Sequence, residues 1–264
     1  MPLYSHSKLS TFEQCALKFK LKYLDKVKPD YEQSIEAFLG KKVHETLEWL
    51  YKNPDKKELD DVIKYFVEKW NQDYNPSIKI VKEEFDKEYY FNKGIKFLIN
   101  YFVNNFPFKD NTIALEKKIM LNLDNQGEYQ LVGFIDRLVH DTEKNIFEIH
   151  DYKTGALKSQ QELDNDRQLA LYSISIRESY PSASEVRLIW HFLEWNQKKI
   201  STRKIDELQQ LKQEIIALIK KIESSSEFKA NPGILCNWCE YRSYCPEMRH
   251  TIKEKRFFGE YEVR

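Results

Sequence analysis

Hydrophobic residues recur every three or four positions along much of the chain, whereas residues 112–201 contain shorter alternating or continuous apolar runs. The first spacing is typical of amphipathic helices and the second of β-strands. The predicted helices run from Ser10 to Pro29, over 34–52, from Leu59 to Trp70, from Phe85 to Phe102, from Glu162 to Ser179 and from Leu208 to Ile222. The predicted strands are Thr112 to Leu123, both arms of a hairpin within 129–153, Val186 to Trp195, and a short edge strand after a turn at 196–199. The pattern therefore indicates an α/β protein.

The hairpin has the strongest strand pattern in the chain. Within residues 129–153, two runs rich in branched and aromatic residues flank the polar break 141–144. Such an arrangement is typical of two antiparallel strands joined by a short loop. With 141–144 as the loop, His140 pairs with Asn145.

The same register places Asp136 opposite Ile149. Paired residues in an antiparallel ladder share a face, and alternation puts Ile149, Asp151 and Lys153 on one side of their strand. The sequence therefore predicts that Asp136, Asp151 and Lys153 project into the same space. A register error of one residue would scatter them.

Two carboxylates and a lysine on one face are the groups that a hard divalent cation uses in phosphodiester hydrolysis. Mg²⁺ takes one or two carboxylates together with waters and substrate phosphates. A lysine nearby can orient the attacking water or offset developing charge. The alternative is an exposed hairpin with ordinary surface salt bridges, which are common and weak.

Three motifs occur in a fixed order around this hairpin: Gly133-Phe-Ile-Asp136-Arg137, Asp151-Tyr-Lys153-Thr-Gly155 and Gln168-Leu-Ala-Leu-Tyr172. Together they closely resemble the RecB-like branch of the PD-(D/E)XK nucleases. The resemblance implies that the first Asp and the Asp-x-Lys bind metal and drive hydrolysis. It also implies that the Gln-x-x-x-Tyr helix supports the site and the DNA. Helix-surface amphipathicity alone would also explain this last pair, which lies four residues apart.

His44 lies beside the apolar stripe of the helix predicted over 34–52, where an isolated histidine is usually a surface or core-edge residue. Gly40-Lys-Lys-Val-His44-Glu-Thr-Leu47 is, however, similar to a motif that supplies a metal ligand in RecB-like nucleases. The resemblance implies that the ion is held by His44, Asp136, Asp151 and the backbone carbonyl of Tyr152. It also implies that Lys153 acts on the nucleophilic water. Gln168 and Tyr172 would have supporting roles, and Glu116 on the first strand would have a minor one.

The net charge does not predict that the whole molecule attracts DNA, because 42 basic residues balance 42 acidic residues in a chain of 264 residues. Contacts with nucleic acid would come from local basic stretches, unless these are simply solvated surface. The candidates are Lys18, Lys20, Lys22, Lys198, Lys199, Arg203 and Lys204. The N-terminus lacks a secretory pattern and no apolar run approaches membrane-spanning length. We therefore expect a cytoplasmic protein, not bound to a membrane, in which structural disulfides are unlikely.

The four cysteines suggest a metal centre. Cys236, Cys239 and Cys245 form a C-x2-C-x5-C pattern followed by proline, and Cys15 is the fourth cysteine. Structural zinc sites of four cysteines usually come as two local pairs, whereas iron–sulfur clusters also accept four thiolates. The spacing favours a cluster but leaves zinc open.

The cysteine arrangement also resembles that of iron–sulfur members of the RecB-like group, such as CRISPR-associated exonucleases and AddB-type nuclease domains. Those proteins have one cysteine before the nuclease core and C-x2-C-x5-C after it. The resemblance implies that Cys15, Cys236, Cys239 and Cys245 hold a 4Fe–4S cluster that joins the two ends of the chain.

These features together predict one restriction-endonuclease-like α/β domain over 1–264, with a mixed central sheet flanked by helices. Its parts are a helical region (1–110), a nuclease core (111–203) and a C-terminal helix with the cysteines (204–264). The expected function is an Mg²⁺- or Mn²⁺-dependent DNA exonuclease acting on single-stranded ends. The alternative is a non-cleaving DNA-binding or assembly subunit of a CRISPR-adaptation or recombination complex. No G-x-x-x-x-G-K-[ST] motif occurs, so unwinding would need a helicase partner.

Overall fold

A mixed β-sheet with helices on both faces forms the centre of the protein, in a computed structural model that describes residues 3–248. The strands are β1 (Leu3–Ser5), β2 (Thr112–Asn122), β3 (Gln130–Asp141), β4 (Ile146–Lys153), β5 (Glu185–Phe192) and β6 (Gln197–Ser201). The helices are α1 (His6–Gln14), α2 (Ala16–Phe19), α3 (Ile35–Lys52), α4 (Leu59–Asp73), α5 (Lys87–Asn105), α6 (Gln160–Asp164), α7 (Arg167–Ser179) and α8 (Ile205–Ser224). The predicted α/β class with a mixed sheet is confirmed.

The strands follow the order β1-β3-β4-β5-β6, and β2 pairs with the remaining edge of β3. The β1–β3 and β4–β5 pairs are parallel, whereas β2–β3, β3–β4 and β5–β6 are antiparallel. The parallel β4–β5 pair needs a crossover, and α6 and α7 supply it. This crossover brings α7 against the sheet, where it contacts β2, β4 and β5.

Two hydrophobic cores lie on opposite faces of the sheet. The first includes side chains from α1, α7 and α8, represented by Leu9, Leu171 and Ile215. The second includes side chains from α3, α4 and α5, represented by Leu47 and Phe66, together with Phe97. Both cores are lined by fully buried residues, so each helical layer is fixed to the sheet by apolar burial. None of the helices within residues 3–248 is both long and apolar enough to cross a membrane.

The N-terminal helix differs from the prediction. It begins at His6, because the Ser5 hydroxyl accepts a hydrogen bond from the Lys8 amide at the helix start, and not at Ser10. It also breaks at Cys15, which has an extended backbone, before the chain resumes a helical path. The three-residue strand β1 that precedes it was not predicted.

Two further boundaries were wrong. The helix predicted from Glu162 to Ser179 is divided into α6 and α7, because the Asp166 carboxylate accepts the Gln168 amide at 2.9 Å and caps a new helix. The strand predicted to continue to Trp195 ends at Phe192, and the turn occupies 193–196. The other predicted helices occur within a few residues of the expected limits.

The register of the β3–β4 hairpin also differs from the prediction. Asp141 pairs with Ile146, and Leu138 lies opposite Ile149. The predicted pairing of His140 with Asn145, and of Asp136 with Ile149, is therefore wrong by two residues. A shift of two residues does not by itself move a side chain to the other face, because alternation has a period of two.

Candidate active site

The candidate site lies where β3 loses a neighbour. On one edge β3 pairs with β2 over 130–139. On the other edge it pairs with β1 over 130–132 and with β4 over 137–141. Residues 133–136 therefore lie in a split between β1 and β4. At the end of the split the Asp136 carboxylate accepts the backbone N–H of Tyr152 at 3.0 Å, in place of a strand carbonyl.

The side-chain alternation of β3 reverses at this split. Leu131 and Ile135 pack in the first core, but so does Leu138, although regular alternation from Ile135 would place Leu138 on the other face. The reversal occurs opposite Glu116, the β2 residue between those paired with 135 and 137. Glu116 has a φ of +44°, in the left-handed region that a non-glycine residue rarely adopts. Asp136 thus lies at a kink, which is a common location for functional side chains.

Asp151 and Lys153 project from β4 towards α7. Lys153 Nζ donates to Asp151 Oδ1 at 3.0 Å and to Gln168 Oε1 at 3.0 Å. Burial raises the pKa of the Asp151 carboxyl, and the Lys153 ammonium offsets this only in part. Burial would lower the pKa of Lys153, but the charge of Asp151 and the hydrogen bond to it outweigh burial and raise that pKa. Lys153 is therefore an ammonium at neutral pH and acts as a donor.

Asp151 has one oxygen without a hydrogen bond. Only 4% of the residue is exposed, and Oδ2 accepts no hydrogen bond among the described residues. Oδ2 lies 2.9 Å from Lys153 Nζ, but the hydrogen bonds of that ammonium go to Asp151 Oδ1 and Gln168. This oxygen is therefore ion-paired with Lys153 but accepts no hydrogen bond, and a buried carboxylate oxygen in this state can also bind a cation.

His44, on α3, reaches the split from the opposite face of the sheet. Its Nδ1 lies 3.3 Å from Asp136 Oδ2 and its Nε2 lies 2.7 Å from the Tyr152 carbonyl oxygen. Both partners are acceptors, so both ring nitrogens donate and the ring is an imidazolium. Burial lowers the pKa of His44, but the hydrogen bond and charge of Asp136, the charge of Asp151 and the Tyr152 carbonyl raise it to about 9.

Glu116 completes a group that could hold a metal ion. One ligand atom each from His44, Glu116 and Asp136 lie within 4.8 Å of one another. Partial burial and the charge of Asp136 raise the pKa of Glu116. The resemblance to RecB-like nucleases implied only a minor role for Glu116, and nothing in the pattern of β2 distinguishes this residue from neighbouring polar residues. Its left-handed backbone is a structural signal that periodicity does not contain.

The helix α7 supports the site through close packing. A Cβ added at Gly133 would lie 2.2 Å from the Tyr172 ring, so only glycine permits this approach. The Tyr172 hydroxyl is hydrogen-bonded to the Gln168 side chain and to the Phe134 backbone. The structure therefore places Gln168 beside Lys153, and Tyr172 beside the split in the sheet.

The four cysteines are free thiols and half-buried. All four line one cavity of about 320 Å³. No three thiols within residues 3–248 lie within 4.8 Å of one another, so the structure shows no tight thiolate centre. Three backbone amides within the described residues point at sulfur: that of Gly233 at Cys236 Sγ (3.3 Å), that of Lys18 at Cys15 Sγ (3.5 Å) and that of Tyr241 at Cys239.

The two ends of the described chain meet around this cavity through ordinary protein contacts. Glu240 accepts ion pairs from Lys18 at 2.7 Å and Lys22 at 3.1 Å, and Lys20 pairs with Asp25 at 2.6 Å. These three lysines are therefore bound to carboxylates within the protein. Their role as a basic stretch for nucleic acid stays a prediction.

Solved structures and a family model are similar to this chain. A protein from Eubacterium rectale, provisionally named an exonuclease, shares the fold with a TM-score of 0.50 at 11% identity, over 92% of this chain and 86% of that one. The structure of SSO0001 aligns with a TM-score of 0.39 at 16% identity, over 88% of this chain and 95% of that one. No curated protein matches. The family model of the PD-(D/E)XK nuclease superfamily matches residues 4–246. That match spans almost the whole described chain, and the chain therefore belongs to the PD-(D/E)XK nuclease superfamily.

Proposed function

We propose that this protein is a RecB-like, divalent-metal-dependent DNA exonuclease that hydrolyses phosphodiester bonds at single-stranded ends. The observation that carries the proposal is the convergence of His44, Asp136, Asp151 and Lys153 at the split in the sheet. Metal dependence is general in the superfamily. The action on ends and the preference for single strands follow from the resemblance of the three motifs to RecB-like nucleases.

The residues at the split fit a divalent cation. Asp151 has a buried oxygen without a hydrogen bond. Further atoms that could bind a metal ion lie nearby, on Asp136, Glu116 and His44. A set dominated by carboxylate oxygens with one imidazole suits Mg²⁺ or Mn²⁺. We assign metal binding to His44, Asp136, Asp151 and the Tyr152 carbonyl. Such an ion supplies positive charge to the phosphodiester and lowers the pKa of water.

The other site residues act on the substrate and on the nucleophile. Lys153 is held between Asp151 and Gln168, so its ammonium has a fixed direction. A fixed ammonium can hold the attacking water or offset negative charge that develops on the phosphate. Gln168 fixes the position of Lys153. Tyr172 packs against Gly133 and maintains the split in which Asp136 lies.

The test is a cleavage assay on single-stranded and double-stranded oligonucleotides labelled at either end. We expect progressive shortening of single strands from one end in Mg²⁺ or Mn²⁺ and none in EDTA. The two end labels identify the polarity. DNA binding without cleavage in either metal would instead favour the non-cleaving subunit. Dependence of cleavage on an added helicase or CRISPR-adaptation protein would show that the nuclease works within a larger complex.

We propose further that Cys15, Cys236, Cys239 and Cys245 bind a 4Fe–4S cluster. All four line one cavity, and three backbone amides point at sulfur, as expected around thiolates. A zinc ion with Zn–S bonds of about 2.3 Å would need its four thiols within about 4 Å of one another. A cluster holds its thiolates farther apart because each binds a different iron. No three of the described thiols lie within 4.8 Å of one another, so their arrangement does not match a zinc site, and the proposal of a cluster rests on the four thiols lining one cavity.

Cluster binding is tested by purification without oxygen, in the reduced state expected of a cytoplasmic protein. We expect about four irons and equal sulfide per chain. Cys15→Ser should remove the colour, lower the melting temperature and reduce cleavage indirectly. A link closing a loop of more than two hundred residues restrains the unfolded chain by roughly 5 kcal/mol. Stoichiometric zinc without sulfide would contradict the cluster and leave the nuclease proposal intact.

A further inference from the structure

The Tyr152 side chain joins the candidate metal site to a buried polar network on the other face of the sheet. Its hydroxyl accepts a hydrogen bond from Arg137 Nε at 3.0 Å and lies 3.2 Å from the Tyr101 hydroxyl. Tyr101 in turn lies 2.7 Å from the Tyr51 hydroxyl. Tyr152 is 4% exposed and Arg137 is 1% exposed, so this network is closed to solvent.

The Tyr152 backbone, by contrast, belongs to the metal site. Its N–H donates to Asp136 Oδ2 at 3.0 Å, and its carbonyl oxygen lies 2.7 Å from His44 Nε2. One residue thus contacts two proposed metal ligands through its peptide groups. The same carbonyl is itself a proposed ligand. Any movement of this residue would displace several donors together.

Each nitrogen of the Arg137 guanidinium has a hydrogen-bond partner. Its NH1 group donates to Asp110 Oδ2 at 3.0 Å and to Thr112 Oγ1 at 3.3 Å, and its NH2 group donates to His150 Nδ1 at 2.8 Å. The guanidinium lies 4.1 Å from the centre of the Tyr51 ring. A planar guanidinium bound in this way has one orientation, so its Nε defines where the Tyr152 hydroxyl must lie.

The histidines beside Arg137 preserve that orientation. His150 Nδ1 accepts from Arg137, so His150 carries its proton on Nε2, which lies 3.2 Å from Glu148 Oε2. His191 Nε2 lies 2.9 Å from the same Nδ1. Burial and the charge of Arg137 lower the pKa of His150, and the pKa of His191 is lowered by burial and both neighbours. Both rings therefore stay neutral and complete the cage around the guanidinium.

We propose that Arg137 and the Tyr152 hydroxyl are positioning residues, which fix the Tyr152 peptide so that Asp136, His44 and the Tyr152 carbonyl stay at metal-binding distance. The inference rests on the proposed metal site. It concerns groups that do not touch the ion. Hydrogen-bonded partners that orient metal ligands typically change metal affinity by about 10–100-fold when they are removed.

The experiment compares two hydroxyl deletions within the same network. Tyr152→Phe removes the hydroxyl that Arg137 holds. Tyr51→Phe is the matched control, because its hydroxyl contacts Tyr101 and not Tyr152. Mn²⁺ binding is measured by calorimetry without DNA, and each variant is melted with and without Mn²⁺.

We expect both variants to melt below wild type, since each loses a buried hydrogen bond. Only Tyr152→Phe should raise the Mn²⁺ dissociation constant, by about tenfold or more, with Tyr51→Phe within about twofold of wild type. Arg137→Lys, which keeps the charge but loses the fork, should weaken Mn²⁺ binding as Tyr152→Phe does.

A wild-type Mn²⁺ affinity in Tyr152→Phe, with a lowered melting temperature, would overturn the proposal and assign the network to stability alone. Equal loss of affinity in Tyr152→Phe and Tyr51→Phe would also overturn it. If wild-type protein cleaves DNA and binds Mn²⁺ in the same assays, either result leaves the proposed function standing. A wild-type protein that binds no Mn²⁺ would overturn both.

Discussion

The two faces of strand β4 carry polar side chains in alternation, but the charged groups around the two sets differ. We call Asp151 and Lys153 the acidic face, and His150 and Tyr152 the histidine face. The acidic face lies against α7, and its one carboxylate, that of Asp151, has a buried oxygen that accepts no hydrogen bond. The histidine face encloses the Arg137 guanidinium and leaves it 1% exposed.

Histidines near the two faces show what this difference does. His44, between carboxylates, has a pKa raised to about 9 in spite of burial. His150 and His191, beside a guanidinium, have pKa values lowered well below the ordinary range. Charged neighbours therefore decide the direction, because burial lowers all three. The histidine face is organised around the Arg137 guanidinium, and the acidic face around the ion pair of Asp151 with Lys153, where we propose that a divalent cation binds.

The largest expected effect comes from removing the charge of the acidic face. Lys153→Ala should reduce DNA cleavage by on the order of 10²–10³-fold or more, since a fixed donor to developing charge is lost. Asp151→Ala should be at least as severe, because it removes a proposed metal ligand. Lys144→Ala, at the exposed tip of the same hairpin, is the control and should cleave normally. Rates within tenfold of wild type for both site variants would refute the assignment of the acidic face.

The next effect concerns the imidazole that reaches the acidic side of the split. His44→Ala should weaken divalent-metal activation by about tenfold or more. Mn²⁺ should restore activity better than Mg²⁺, because Mg²⁺ demands near-ideal geometry and Mn²⁺ binds mixed nitrogen and oxygen sites more tightly. The measurement is a titration of DNA cleavage with Mn²⁺ and with Mg²⁺, for wild type, for His44→Ala and for the control His140→Ala. Identical titrations for His44→Ala and wild type would show that His44 is not a ligand.

The sequence predicted that Asp136, Asp151 and Lys153 share a face, but the register from which this was argued differs from the structure by two residues. Asp141 both pairs with Ile146 and accepts the Glu143 and Lys144 amides at 3.1 Å, so the turn begins one residue later than the polar break. The hydrophobic pattern cannot distinguish these registers, because an even shift preserves both faces.

Two other features were beyond the reach of periodicity. The reversal of side-chain alternation depends on the left-handed backbone of Glu116, and the sequence does not distinguish Glu116 from any other polar strand residue. The strand β1 has three residues, too few to show alternation. By contrast, helix α3 has five regularly spaced apolar residues and a Ser34 cap, and its limits agree with the predicted 34–52. Long regular elements were therefore predictable, and the local departures that shape the site were not.

The packing of α7 against the split provides a smaller, structural test. Gly133→Ala should destabilise the fold by about 1–3 kcal/mol, because the added Cβ overlaps the Tyr172 ring. Gly155→Ala is the matched control, since a Cβ there meets nothing within 4 Å. Thermal melting measures both. Adding Tyr172→Ala to Gly133→Ala should recover part of the lost melting temperature. Equal melting of the two glycine variants would show that Tyr172 does not pack against the split.

The smallest effect is a pH dependence with opposite signs on the two faces. The unfolded chain gains a proton at His191 as the pH falls below about 6.5, whereas the folded protein resists it. Stability should therefore fall on acidification, and His191→Gln should reduce this loss of stability at acidic pH.

In metal-free protein the His44 proton contributes stability that is complete below a pH of about 6.5 and is lost as the pH rises towards about 9. His44→Gln should reduce this loss of stability at alkaline pH. Bound Mn²⁺ should do the same, because it replaces the proton on His44. The differences, a few degrees in melting temperature, are measured across pH 5–9 with and without EDTA. Parallel pH profiles for wild type and both variants would show that neither histidine is perturbed by its face.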